Sequence, residues 1–449
     1  MSGLLSSRKS SGHSNMYSDA PESAISCGGT DLIVGSSIGG LGAQPAATTR
    51  ATSERVLTKL RTDPARVAMR ENFLPGPSSD VLEFRRRGVS RVIDRRTFLK
   101  GAALSGALAA PAPLRAALLQ DPSFIEILPE QMAAVKKALD YLAKIQGRRG
   151  QIGGQAPLAF TAMAGLAWMA GGSTPTRGPY ASNVMNALRF VLQCGRGQTG
   201  YLNEGAGRMM GGSGMHGHGY ALLFLAELYG MCGEQEDSIG DDSVREAIVR
   251  AVAVTEKAQH STGGWLYDPS PNGHEGSVTI TQVQALRAAR NSGITVSEKV
   301  IERGVSYIKK STNPDGTIMY RIGQPGGTYP LTAAGACVYA YFGLYDDPMG
   351  QKCMTAVYEF LTGKRGGVGG RNDRFGSYAT LYAGQACFFM KRKEPKYWTE
   401  GYARIRKEIL ATQLNNGSWS SDGYEGAFAT PAYALVLQIP YRILPIFQD

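Results

Sequence analysis

QHSTGGW at 259–265 and QLNNGSW at 413–419 are the stretches that decide the fold. Each sets a glutamine four residues before a glycine and six before a tryptophan: Gln259, Gly263 and Trp265, then Gln413, Gly417 and Trp419. Ahead of the second, EGYARIRKEILATQ (400–413) carries apolar residues at helical spacing. The Asn-Asn-Gly that follows is a helix-stop and turn signal. A polar loop, SWSSDGYEGAF (418–428), then leads into ATPAYALVLQIP (429–440), apolar on nearly every face. A helix apolar all round has to be buried. The stretch reads as a half-exposed outer helix, a Gly-rich turn and a buried inner helix.

The same unit recurs at 131–172, 180–230, 243–293, 296–345, 350–391 and 397–440, with looser copies of the turn in QGRRGQIG (146–153) and NPDGTIMY (313–320). One pair cannot cover its own inner helix, whereas six pairs closed on themselves can. The predicted class is all-α: an α6/α6 toroid of six helix-pair repeats over 121–449, its inner helices around a central cavity.

Residues 1–93 differ in kind. They are rich in Ser, Gly, Arg and Pro without sustained apolar period, and are expected to be a disordered or spurious extension. The net charge of +11 belongs mostly to the N-terminal part: residues 1–120 hold 16 Lys+Arg against 9 Asp+Glu, and the rest 32 against 28. No basic stripe interleaved with aromatics runs through the repeats, so no nucleic-acid partner is expected.

DRRTFLKGAALSGALAA at 94–110 resembles a twin-arginine export signal, on Arg95, Arg96, Phe98, Leu99 and Lys100. Ala107 and Ala109 are placed for cleavage after Ala109. The resemblance implies delivery of the folded chain to the periplasm by the twin-arginine machinery, or a membrane anchor if the signal stays uncleaved. The arginine pair lies far from Met1, so the true start is expected downstream, at Met69. Five cysteines remain after the signal: Cys194, Cys232, Cys337, Cys353 and Cys387. An odd number without a CxxC predicts neither a disulfide framework nor a four-cysteine zinc site; most are read as small buried apolar groups.

The Gln-x3-Gly-x-Trp turns resemble the QW repeat of squalene-hopene and oxidosqualene cyclases, and the helical pairs are similar to protein prenyltransferase β-subunits. The likeness spans about 131–440. It implies a framework part for Gln259 with Trp265 and Gln413 with Trp419, each glutamine capping a neighbouring helix and stacking on its tryptophan. It also implies an interior suited to isoprenoid-like ligands. Two chemistries of those families lack their residues here. There is no Asp-x-Asp-Asp acid, since Asp241 and Asp242 before SVREAIVRAV read as a helix cap and Asp346-Asp347 as a turn. There is no Asp-x-Cys with a later histidine for zinc. No cofactor and no metal are implied. GVGGR at 367–371 reads as a plain turn.

Polar residues at the starts of inner helices are the site candidates. His216 and His218 open the second, with His218 flanked by glycines, while Asp268, His274, Glu275, Ser277 and Thr279 lead into the third. Thr332, Tyr378 and Thr430 hold comparable places later. Helix N-termini gather free N–H groups and partial positive charge, so His216, His218, His274, Thr279, Thr332, Tyr378 and Thr430 are expected at the cavity mouth. His218, Asp268 and Glu275 are the candidates for chemistry; capping is the plainer part for the serines, threonines and histidines.

Cys232-Gly-Glu-Gln235 also resembles the thioester motif of complement and α2-macroglobulin domains. The likeness would make Cys232 and Gln235 an internal thioester, though here the motif follows an inner helix instead of opening one. The leading expectation is an exported toroid whose apolar cavity binds or transforms a hydrophobic, isoprenoid-like molecule. The alternatives are a noncatalytic peptide-binding or scaffold toroid and, last, the thioester.

Overall fold

The computed structural model describes residues 81–86, 89–94, 125, 127–154, 156–197, 199–204, 214–232, 238–239, 242–365, 376–420 and 427–448. The signal-like residues 95–110, Met69, Gln235, Asp241 and the 367–371 turn lie outside them. The chain divides between Ser79 and Asp80, and every described residue lies after that point.

Twelve α-helices carry the described fold, in six consecutive pairs. They are α1 Pro129–Ile145 with α2 Pro157–Ala170, α3 Ala181–Cys194 with α4 Gly214–Cys232, and α5 Val244–Lys257 with α6 Gly276–Asn291. The later pairs are α7 Glu298–Lys310 with α8 Tyr329–Tyr341, α9 Pro348–Thr362 with α10 Gly376–Met390, and α11 Ala403–Ala411 with α12 Ala429–Gln438. A π-helical turn at Tyr397–Tyr402 precedes α11, and short 3-10 turns at Ile439–Tyr441 and Pro445–Phe447 follow α12. Strands are minor: β1 Val81–Arg86 pairs antiparallel with β2 Val89–Asp94, and the two-residue strands β3 Ser238–Ile239 and β4 Asp242–Ser243 pair ahead of α5. The first hairpin falls in a stretch where no element was expected; the alternation of Leu82, Glu83, Phe84 and Arg85 suits a strand period.

Burial separates the two members of each pair. Every residue of α2 is buried, and α8 is buried from Pro330 to Tyr341. In α7 only Ile301, Gly304, Tyr307 and Ile308 are buried, spaced to form one face. Helix starts follow local chemistry. Ser243 caps α5 by accepting the Glu246 N–H, and Asp347 caps α9 by accepting those of Met349 and Gly350. Gly363, left-handed at φ 74°, ends α9.

The buried helices touch in cyclic order: α2 on α4, α4 on α6, α6 on α8, α8 on α10, α10 on α12, and α12 back on α2. The outer helices are offset by one unit. α3 packs on α2, α5 on α4, α7 on α6, α9 on α8, and α1 on α12. No unit is complete without the next one.

Turn glycines set the spacing between units. Gly263 has φ 98°, and a Cβ there would lie 2.1 Å from the Arg303 carbonyl oxygen on α7. Gly417 has φ 91°, with 2.4 Å to the Lys137 oxygen on α1. Gly150 meets Asn186 of α3 in the same way, and Gly316 meets Lys352 of α9. Gly417→Ala adds a backbone clash to the roughly 1–2 kcal/mol cost of the left-handed conformation. Gly343→Ala, left-handed but with nothing within 4 Å, meets the conformational cost alone. Urea titration should therefore show Gly417→Ala losing clearly more stability than Gly343→Ala. Equal losses would mean that the close approach to α1 contributes nothing.

Candidate functional site

The turns carry a repeated hydrogen-bond scheme. Gln259 donates through Nε2 to the oxygens of Gly263 in its own turn and Val300 in α7, both at 2.9 Å. Gln413 donates to Gly417 at 3.0 Å and to Ala134 in α1 at 2.9 Å. Gln146 does the same toward Gly150 and Asn183 in α3, each at 3.0 Å. The glutamines thus tie each turn to a backbone carbonyl near the start of the following outer helix. This differs from the expected cap, because the groups left open at a helix start are N–H, not C=O. The tryptophans do the capping: Trp265 Nε1–H donates to the Thr255 oxygen at 2.7 Å and Trp419 Nε1–H to the Ile409 oxygen at 2.8 Å. Both acceptors lie in the last turn of the preceding outer helix, where carbonyls lack partners.

A second stitch joins each turn to its inner helix. The backbone N–H of Trp265 donates to Thr279 Oγ1 at 3.0 Å, that of Ile318 to Thr332 at 3.1 Å, and that of Trp419 to Thr430 at 3.1 Å. Ile152 N–H donates to Thr161 Oγ1 at 2.8 Å. In the second unit the acceptor is a histidine: Leu202 N–H donates to His218 Nδ1 at 3.2 Å. His218 is fully buried, and its Nε2 lies 3.2 Å from the Ala251 oxygen and 3.0 Å from Thr255 Oγ1. An accepting Nδ1 puts the proton on Nε2, and burial pushes the pKa down to about 4, so the ring is neutral. His218, Thr279, Thr332 and Thr430 were expected at a cavity mouth. They instead hold buried turn N–H groups, which need an acceptor once water is excluded. Thr161 belongs with them and was missed.

The other candidates separate. Glu275 is the N-cap of α6: Oε1 accepts the Val278 N–H at 2.5 Å, Oε2 accepts that of Ser277 at 2.9 Å, and Ser277 Oγ donates to the same carboxyl. Burial pushes its pKa up while these donors and the Arg321 charge pull it down. His216 contacts Ser277 Oγ at 3.1 Å and is pushed down to about 4 by burial. His274 Nδ1 lies 2.9 Å from the Tyr307 hydroxyl, with His260 beside it at 5.1 Å between ring centroids. Asp268 is exposed on its loop, unsuited to an acid that needs a dry pocket. Cys232 is partly buried, and among the described residues no group of His, Cys, Asp or Glu is arranged to hold a metal ion. No described helix is long and apolar enough to cross a membrane.

The space within the helical cycle is lined by Met163, Leu166, Tyr220, Leu223, Leu381 and Leu435, with Gln284 and Gln385 between them. Phenol and amide groups saturate one another there. Gln284 Nε2 donates to Tyr341 OH at 3.0 Å and Gln385 Oε1 at 3.1 Å, Tyr382 OH to Gln284 Oε1 at 3.1 Å, and Tyr341 OH to Gln385 Oε1 at 2.6 Å. The hydroxyls of Tyr220 and Tyr378 are buried and have no hydrogen-bond partner among the described residues. Of the expected mouth residues, Tyr378 alone keeps such an unsatisfied group, its ring 4.6 Å from that of Tyr382.

After α12, Leu444, Ile446 and Phe447 enter the lining, each at most 3% exposed. The void among these residues measures about 20 Å³, room for about one water molecule. The segment is fastened by Ile446 N–H, which donates to Glu227 Oε2 at 2.9 Å. Glu227, on α4, is 1% exposed, and burial pushes its pKa up to about 7 against the pull of that N–H and of Arg287. The Arg287 guanidinium lies over the faces of Tyr341 and Phe389, at 4.8 and 5.6 Å from their centroids.

No family model and no curated protein matches the chain. Among solved structures, an arginine-to-alanine variant of type II terpene cyclase MstE from Scytonema in complex with geranylgeranyl dihydroxybenzoate is 15% identical, over 70% of this chain and 98% of that one, with a TM-score of 0.48. The same cyclase without ligand gives 14%, 70%, 99% and 0.47. A D-mannose isomerase gives 11%, 68%, 96% and 0.49.

Two predictions follow from the geometry. His218→Leu keeps bulk but removes the acceptor for Leu202 N–H, and should cost roughly 1–3 kcal/mol in urea denaturation; an unchanged midpoint would deny the stitch. Glu227 has a folded pKa above its unfolded value, so its contribution is full below about pH 4.5 and is lost as pH rises through about 7. Glu227→Gln keeps an acceptor for Ile446. It should remove the part of the decline in thermal stability between those pH values that wild type shows.

Proposed function

We propose that the chain is a six-pair α/α toroid of the squalene-cyclase and prenyltransferase type whose interior binds a hydrophobic small molecule without transforming it. The carrying observation is the contrast between the two polar sets. His218 and Glu275, the groups best suited to chemistry, have their polar side-chain atoms committed to backbone and cap positions. The interior is apolar apart from mutually bonded amides and phenols and the Glu227 carboxyl beside Arg287, yet it keeps the hydroxyl of Tyr220 unsatisfied against the lining. A buried hydroxyl without a partner is costly, and an apolar pocket with few polar groups is the usual form of a ligand site. In this reading Arg95 and Arg96 direct the folded protein to the twin-arginine machinery and so to the periplasm.

Organic extraction of protein purified from the exporting cell, followed by mass spectrometry, tests it. A hydrophobic compound released near one per chain, unchanged on prolonged incubation with the protein, is expected. A slow conversion of that compound would replace binding by catalysis, and an empty chain that takes up no neutral apolar dye would end the reading. In the same spectra, a chain lighter by one ammonia and restored by methylamine would reveal a thioester between Cys232 and Gln235 instead.

A further inference from the structure

This inference rests on the interior-binding reading and names the chemistry of the ligand. Two features of the interior pull in one direction. The Leu444–Phe447 segment walls the space with three apolar side chains and brings one hydrogen-bond donor, the Ile446 N–H given to Glu227. It leaves the Tyr220 hydroxyl, on a residue 4% exposed that lines the same space, without a partner among the described residues. A molecule that takes the segment's place has to replace what the segment supplies and can add what it lacks. Once Ile446 withdraws, Glu227 needs a new donor, since a buried carboxyl without one is costly. Tyr220 needs an acceptor. Both residues lie on α4, seven positions apart, which places them on one face about 10 Å apart along the helix.

We propose that Leu444–Phe447 is a displaceable occupant of the interior, and that the ligand displacing it is a neutral, mainly apolar molecule with a hydrogen-bond donor for Glu227 and an acceptor about two helical turns away for Tyr220. None of the residues lining the space is cationic; the Arg287 guanidinium, whose charge acts on Glu227, lies over the rings of Tyr341 and Phe389. The segment and the ligand compete for one space, so apparent affinity scales with the fraction of molecules in which the segment is out.

The test uses the full chain, Phe447→Ala and Tyr220→Phe, with Nile red as a neutral fluorescent reporter. Three competitors follow: methyl ω-hydroxydecanoate, methyl decanoate and decanoate. Phe447→Ala should bind Nile red at least about fivefold more tightly than the parent, because its segment competes less well. The hydroxy ester should displace the dye at the lowest concentration and the carboxylate at the highest. Tyr220→Phe should weaken both esters by roughly fivefold. If Phe447→Ala does not fold, hydrogen exchange in the parent decides: the peptide covering 439–449 should exchange faster when the hydroxy ester is bound. Equal dye affinity in parent and Phe447→Ala, or unchanged exchange on binding, would overturn displacement while leaving interior binding intact. Preference for the carboxylate would overturn the ligand class. Failure of every form to bind the dye would remove the interior-binding reading itself.

Discussion

Everything in this fold depends on one joint, where the sixth helix pair meets the first. Gly417 presses its backbone against the Lys137 carbonyl, and Gln413 reaches Ala134 across 279 residues of sequence. Gln131 on α1 donates to the Leu437 oxygen at 2.5 Å, and Gln438 on α12 to the Ala167 oxygen on α2 at 3.1 Å. The joint repeats the chemistry found between consecutive units, a tied glutamine and a glycine against a carbonyl. Without it α2 and α12 would each expose an apolar face that no other described element covers. Burial of such a face, at about 25 cal/mol per Å² of apolar surface, is what makes closure favourable.

The interior follows from that closure. Inner helices packed this tightly exclude water, so each polar group inside has to find its partner in the protein. The glutamines and tyrosines of α6, α8 and α10 do so mutually. The threonines and His218 serve the turns, and Glu227 serves the segment after α12. Polar residues in this protein are mostly devices for spending hydrogen-bonding capacity where the backbone would otherwise go unpaired. The few that escape this pattern are therefore informative.

Much of the architecture was legible in the sequence because the period of apolar residues and the Gly-x-Trp turns reflect local geometry. All six predicted units contain a helix pair. The site was far less legible. His218 drew attention as a reactive group, yet it holds the place that threonine holds in four other units. The equivalence was hidden by loop length, since acceptor and donor are 9 residues apart in the first unit, 16 in the second, 14 in the third and fourth, and 11 in the sixth. Glu275 looked like an interior carboxyl because its role as a cap depends on backbone direction, which a residue list does not carry. Glu227 and the Leu444–Phe447 segment were overlooked altogether. Their only trace is a glutamate within an apolar run and apolar residues beyond the last helix, and neither has a periodicity to recognise.

The one-unit offset between outer and inner helices has a consequence for how the molecule comes into being. α1 packs more extensively on α12 than on its own partner α2, and the contacts that join α1 to α12 span about three hundred residues. Chain synthesis runs from the N-terminus, so the first pair must wait through the making of the other five. The contacts between the sixth pair and the first are then the last to form, and until they do the apolar faces of α2 and α12 stay uncovered.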